Sequence, residues 1–163
     1  MAEMAKEVGI RRFVFASSCS NYGAAGNQMQ TEEGELHPVT AYAISKVRVE
    51  RDLAQLADDH FSPVIMRNAT AYGVSPRIRF DLVLNNLTAW AYTTGQVLLK
   101  SDGTPWRPIV HIEDISTAAI AALEAPLDVV RNQVFNVGIN AENYQIRQLA
   151  EIVERIVPNC EIR

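Results

Sequence analysis

A chain of 163 residues with 48% hydrophobic and 21% charged residues can bury a core of its own, which excludes a disordered or fibrous protein. Its net charge of -4, with lysines and arginines dispersed, leaves no footprint for nucleic acid or an anionic membrane, so neither is an expected partner. No apolar run approaches a membrane span and the start, "MAEMAKEVGIRR", lacks an apolar signal core, which predicts a cytoplasmic protein. Cys19 and Cys160 form no CxxC or Cys/His spacing, so free thiols and no metal site are expected.

Taken in chain order, a short helix is predicted over residues 2–8, stopped by Gly9, followed by a buried strand over 13–16 in "RRFVFASS". The Gly-, Asn- and Ser-rich run "CSNYGAAGNQMQTEEGELHPVT" reads as an irregular loop, long for a mere connection, of a kind that is often functional. The next helix contains Tyr42 and Lys46. Val39, Tyr42, Ala43, Val47 and Leu53 form its apolar positions, and Lys46, Arg48, Glu50, Arg51 and Asp52 its wet side. Residues 64–66 then read as a buried strand. This strand, helix, strand order predicts an α/β fold, a parallel sheet covered by helices with ligands at the carboxyl ends of the strands.

The second half predicts a helix over 81–92 closed by Gly95, a short strand in "QVLLK" and another in "RPIVHIEDIS". Asp114 is the expected cap of a helix with Ile115, Ala118, Ala119, Ala122 and Leu123 on one stripe, stopped by Pro126. A strand in "NQVFNVG" and a helix with Ile146, Leu149, Ile152, Val153 and Ile156 inward complete the chain. The expected division is a first domain over 1–72 and a smaller α/β lobe over 73–163, whose elements can return to the first domain.

Tyr42 and Lys46 lie one helical turn apart, on one face. A phenol has an ordinary pKa of about 10, so a tyrosine working as a base near neutrality needs a neighbouring cation. Lysine at i+4 supplies one and can also reach a ligand hydroxyl, while a serine at a strand end can hold the reacting oxygen. Ser17 and Ser18 stand at such an end.

The ordered set "FVFASSCSNYG", "YAISK", "RNATAYG" and "WRPIVHIEDI" resembles the extended short-chain dehydrogenase/reductase family, the NAD-dependent nucleotide-sugar epimerases and dehydratases. The resemblance implies the C-terminal part of a Rossmann-like parallel sheet plus a smaller α/β substrate-binding lobe. It implies Ser18, Tyr42 and Lys46 as catalytic residues. Tyr42, Lys46 and secondarily Ser17 would face the cofactor, NAD, with NADP left open. It also implies a nucleotide-diphosphate sugar as substrate, met by Ser18, Tyr22, Asn86, Arg79 and Arg107, the last in the place of the family's diphosphate-binding arginine. Asn85 is an alternative to Asn86, and Thr70 stands where many relatives have asparagine. Cys19 and Ser20 stand where the dehydratase branch has an Asp-Glu pair, which favours an epimerase or 4-keto reductase.

A dinucleotide site also needs a Gly-rich turn after the first strand to hold the pyrophosphate. These residues hold none, because "GAAG" at 23–26 follows a later strand and reads as substrate loop. The expectation is therefore a family member lacking about the first 100 residues, with weak NAD binding and poor turnover by itself. A chain supplying the missing strands is one implied partner; a second copy docked through the Tyr42 and Lys46 helix is another. A non-catalytic interaction module that keeps a nucleotide-sugar lobe is the competing expectation.

Overall fold

The computed structural model describes residues 1–23 and 29–163, so Ala24, Ala25 and Gly26 of the "GAAG" run lie outside the described residues. The chain divides into two compact units, Met1–Ala69 with Glu113–Val137, and Thr70–Ile112 with Gly138–Arg163.

The first unit is built on a parallel sheet of order β1-β2-β6, with β1 at Arg12–Ser18, β2 at Ser62–Asn68 and β6 at Val134–Val137. Ser18 pairs with Asn68 and Asn68 with Val137, so the three strands end level and form one carboxyl edge. The central strand β2 is buried from Ser62 to Arg67, as expected of a strand covered on both faces. Val64 and Met66 pack with Ala122 of α4 (Ile112–Glu124) and Val130 of α5 (Leu127–Val130). The other face meets α2, Ala41–Leu56. Arg12 ties β1 to the end of α4, donating to the carbonyls of Ala122, Leu123 and Ala125, and so satisfies carbonyls the helix leaves open. The first helix, α1 at Ala2–Glu7, is anchored by Lys6, whose ammonium lies 2.6 Å from Asp58 and donates to the Leu56 carbonyl.

Helix α2 begins where Thr40 caps it, its hydroxyl accepting from the Ala43 amide at 3.1 Å. Ala43, Val47, Glu50 and Leu53 form its buried stripe. Glu50 was expected on the wet side but is only 6% exposed, whereas Val39 and Tyr42, expected among the apolar positions, are exposed. Helical spacing explains the correction: Glu50 stands three residues after Val47 and three before Leu53, squarely on the inward stripe. In α4 the helix starts at Ile112, so Asp114 lies in its first turn and is not its cap; Leu123 is exposed.

A 3-10 turn, Cys19–Tyr22, follows β1 and ends at Gly23, whose φ is +68°. A Cβ at Gly23 would overlap the carbonyl oxygen of His37. Gly23→Ala therefore combines left-handed backbone strain with a steric overlap. It is expected to destabilise the protein by about 2 kcal/mol or more, read as a lowered urea midpoint.

In the second unit, β3 (Thr70–Tyr72) pairs in parallel with β5 (Trp106–His111), and β5 pairs antiparallel with β7 (Asn143–Gln145). The short strands β4 (Gln96–Val97) and β8 (Glu161–Ile162) form a separate parallel pair. Helices α3 (Val83–Thr94) and α6 (Ile146–Ile156) supply Leu87, Ala91, Leu149, Ala150 and Val153 to a core shared with Val97 and Ile109. Gly95 ends α3 in a left-handed conformation, as its place after the apolar stripe predicts. Among the described residues no helix is long and apolar enough to cross a membrane.

Candidate active site

Tyr42 lies in the first turn of α2 and is 55% exposed. Lys46, one turn on, sits 5.5 Å from the centre of the Tyr42 ring and 4.8 Å from that of Phe15. Its Nζ donates to the Ala16 carbonyl at 2.7 Å. The ammonium is thereby fixed beside the phenol and over the end of β1 with further N–H donors left. Two residues beyond Ala16, at the last position of β1, the Ser18 hydroxyl accepts from the Ser20 amide at 3.1 Å and from the Ser20 hydroxyl at 2.8 Å. The two serine hydroxyls thus lie within hydrogen-bond distance of each other at the end of β1.

The two other residues expected near this edge have different positions. Ser17 was implied at the cofactor, but it is 3% exposed and its hydroxyl donates to Glu50. Successive residues of a strand face opposite sides, so Ser17 and Ser18 point to different faces of the sheet. Tyr22 was implied at the substrate, but it is buried. Its hydroxyl donates to Asn136 Oδ1 at 2.6 Å and accepts from Arg67 Nη1 at 2.9 Å.

Both belong to a buried polar network that the motifs did not reveal. Arg67 grips Glu50 through Nη2 to Oε2 at 2.7 Å and through Nε to both oxygens at 3.2 Å. Asn21, fully buried, donates to Glu50 Oε1 at 2.7 Å and to Ser17 Oγ at 3.1 Å. Arg67 Nη1 also reaches the Glu32 carbonyl at 3.0 Å, and the Glu32 carboxylate accepts from the Asn136 amide at 2.7 Å. Burial pushes the Arg67 guanidinium down, but its bonds to Glu50 and Tyr22 outweigh this and hold its pKa above the ordinary value. Burial raises the pKa of the Tyr22 phenol against the opposing pull of Arg67.

Cys19 donates to the Arg67 carbonyl at 3.1 Å, and burial pushes its thiol from 9.0 up to about 11, with Arg67 opposing. Alkylation of Cys19 by iodoacetamide, followed by mass spectrometry, is therefore expected to stay slow at pH 8 and to accelerate toward pH 11. The folded state holds this proton more tightly than the unfolded chain. Its contribution to stability is full below pH 9.0 and is lost as pH rises through about 11.

In the second unit, Arg79 pairs with Asp81 at 2.5 Å, Asn86 Nδ2 donates to the Phe80 carbonyl at 2.8 Å and Asn85 Nδ2 to that of Arg79 at 3.0 Å. These contacts order the segment entering α3. Asn85 also accepts from the Gly73 amide at 3.2 Å. Arg107 is exposed on β5, with Nη1 bonded to the Trp106 carbonyl at 3.0 Å. His111 stands edge-on to Tyr72, ring centres 5.2 Å apart, and fills the space that a Cβ at Gly73 would need.

The exposed phenol and the held ammonium fit the hydroxyls of a nicotinamide ribose. Gly23 offers no phosphate cradle, since the space beside it is taken by the His37 carbonyl.

A parallel sheet whose first strand ends at a serine, under a helix carrying tyrosine and lysine one turn apart, defines an α/β protein of the Rossmann type with a Tyr-x-x-x-Lys helix. The chain belongs to the NAD dependent epimerase/dehydratase family, whose model matches residues 1–138. It is 28% identical over 160 residues to the UDP-glucuronate 4-epimerase of Thermodesulfobacterium geofontis, covering 96% of this chain and 47% of that protein. To the UDP-glucose 4-epimerase of Bacillus subtilis it is 24% identical over 173 residues, covering 96% and 51%. Among solved structures, the NAD-dependent NDP-hexosamine 5,6-dehydratase TunA superposes with a TM-score of 0.85 at 26% identity, covering 99% of this chain and 52% of that one. The UDP-glucuronic acid 4-epimerase of Bacillus cereus, solved with UDP-glucuronic acid and NAD, superposes at 0.83 with 24% identity, covering 99% and 51%. The chain thus spans about half the length of the curated relatives it matches.

Proposed function

We propose that this chain carries the catalytic and nucleotide-sugar side of a NAD-dependent nucleotide-sugar 4-epimerase or 4-keto reductase. The observation that carries the reading is the Tyr42 and Lys46 pair, with Lys46 bonded to the Ala16 carbonyl at 2.7 Å and Ser18 two residues further along β1. NAD, when bound, supplies a hydride acceptor and donor at the sugar C4. Tyr42 takes the proton of the sugar 4-hydroxyl as that carbon is oxidised and returns it as the carbon is reduced. Ser18 donates a hydrogen bond to the same oxygen and orients it. Lys46 holds the nicotinamide ribose through the N–H donors its bond to Ala16 leaves over.

Arg107, Arg79 and Asn86 are the proposed contacts of the nucleotide diphosphate, Arg107 foremost because a planar guanidinium matches phosphate oxygens. UDP-sugars are the first substrates to test, given the 4-epimerases among the relatives. A dehydratase is disfavoured: the Cys19 thiol, held up at about 11, is a poor acid or base near neutrality. Lacking a Gly-x-x-Gly-x-x-Gly turn, these 163 residues need others, in the same or a partner polypeptide, for the adenosine half of NAD. Assembly through β1, an edge of its sheet, or through α2 with Ile44 and Val49 part-exposed belongs to the same proposal.

Product analysis of the assembled, NAD-binding enzyme supplied with UDP-glucose or UDP-glucuronate tests the reading. A C4 epimer, or reduction of a 4-keto sugar, is the expected result. A product lighter by one water contradicts the assignment.

A further inference from the structure

We propose that Glu50 and Arg67 are positioning residues, a buried clamp that holds the end of β1, and with it Ser18 and the Lys46 anchor point, in the arrangement the proton transfer requires. The inference rests on the roles proposed above for Tyr42, Lys46 and Ser18.

Tyr42, Lys46 and Glu50 occupy successive turns of one face of α2. Lys46 engages the Ala16 carbonyl and Glu50 the Ser17 hydroxyl, so consecutive turns of the helix grip consecutive residues of the strand. Glu50 therefore sets the register between α2 and β1, and with it the place of the Lys46 ammonium. Arg67 is the register partner of Ser17 on β2, and its fork meets Glu50 from the neighbouring strand. The remaining arm of Arg67 holds Tyr22 and the Glu32 carbonyl, closing the turn that Ser18 begins. Glu50, Arg67 and Ser17 are each at most 6% exposed, so a ligand in the site would not meet them directly.

A buried ion pair is a poor device for stability alone, because the cost of removing both charges from water can exceed their attraction and apolar residues of similar volume often do as well. What Leu and Met could not supply is a set of directed bonds. These reach from one carboxylate to Ser17, Asn21 and Arg67, and from one guanidinium to Tyr22 and the Glu32 carbonyl. Those bonds fix orientation at the residue before Ser18.

The test compares the wild type with Ser17→Ala and with the paired Glu50→Leu and Arg67→Met variant, by amide hydrogen exchange of the chain and by kinetics of the assembled, NAD-binding enzyme with a UDP-sugar. In the paired variant, amides of residues 18–23 are expected to exchange about tenfold faster while those of α6 keep wild-type rates. Turnover is expected to fall about tenfold or more with KM within about threefold, the signature of misplaced groups and not of lost binding. A folded paired variant with wild-type exchange and wild-type kcat overturns the proposal. Should the paired variant not fold, Ser17→Ala decides, since it removes one hydroxyl: faster exchange over 18–23 with lower kcat supports the clamp, and wild-type values for both overturn it. Full turnover by Tyr42→Phe would instead refute the proposed function, and the exchange result would still judge the clamp.

Discussion

Tyr42→Phe is expected to reduce turnover by about a thousandfold, within the range lost when a general acid–base group is removed. The substitution deletes one oxygen and little else. The ring remains to face the Lys46 ammonium, which lies 5.5 Å from its centre, and the side chain is 55% exposed, so neither packing nor the α2 stripe changes. Nucleotide-sugar affinity should stay within about threefold, because the lost interaction develops during proton transfer and not on binding. Steady-state kinetics on the assembled enzyme, with a calorimetric check of sugar binding, measure both. Wild-type turnover would remove Tyr42 from the chemistry.

Arg67→Ala is expected to destabilise the protein by about 3–5 kcal/mol, because it leaves the Glu50 carboxylate buried with no cation. At 6% exposure the carboxylate has no route to water, and the donations from Ser17 and Asn21 do not replace a guanidinium fork. The paired Glu50→Leu and Arg67→Met change should cost far less, since it removes both charges together. Urea unfolding of the singles and the pair closes the cycle. Equal losses for Arg67→Ala and for the pair would contradict this account of the ion pair.

Much of the first unit was legible because its elements are long and strongly patterned. The apolar run of β2 and the helix carrying Tyr42 and Lys46 both appear as read. The three-residue strands β3 and β7 escaped, since three residues display no period and their pairing with β5 is set by partners distant in sequence. "QVLLK" yields only Gln96–Val97 as strand. The spacing of Tyr42 and Lys46 on one helix and the place of Ser18 at a strand end match the reading of the sequence, while their roles in the chemistry are the proposal made above. The burial of Glu50 was not legible, because its charge was read as solvation; the inward stripe of α2 through Ala43, Val47 and Leu53 contained the signal, while Arg67 lies one residue past the strand read over 64–66. The burial of Tyr22 and Ser17 escaped for a related reason: closeness in sequence to Ser18 says nothing of which side of the strand or turn a hydroxyl faces.

The central claim, that these residues carry the nucleotide-sugar side of a NAD-dependent enzyme, is tested most directly by calorimetric titration of the purified chain with UDP-glucuronate and UDP-glucose, and separately with NAD. The account predicts saturable UDP-sugar binding of about -8 kcal/mol, the micromolar range, weakened by Arg107→Ala, with NAD binding weaker than the sugar nucleotide. A cooperatively folded chain that takes up NAD but no UDP-sugar, or neither, would contradict it.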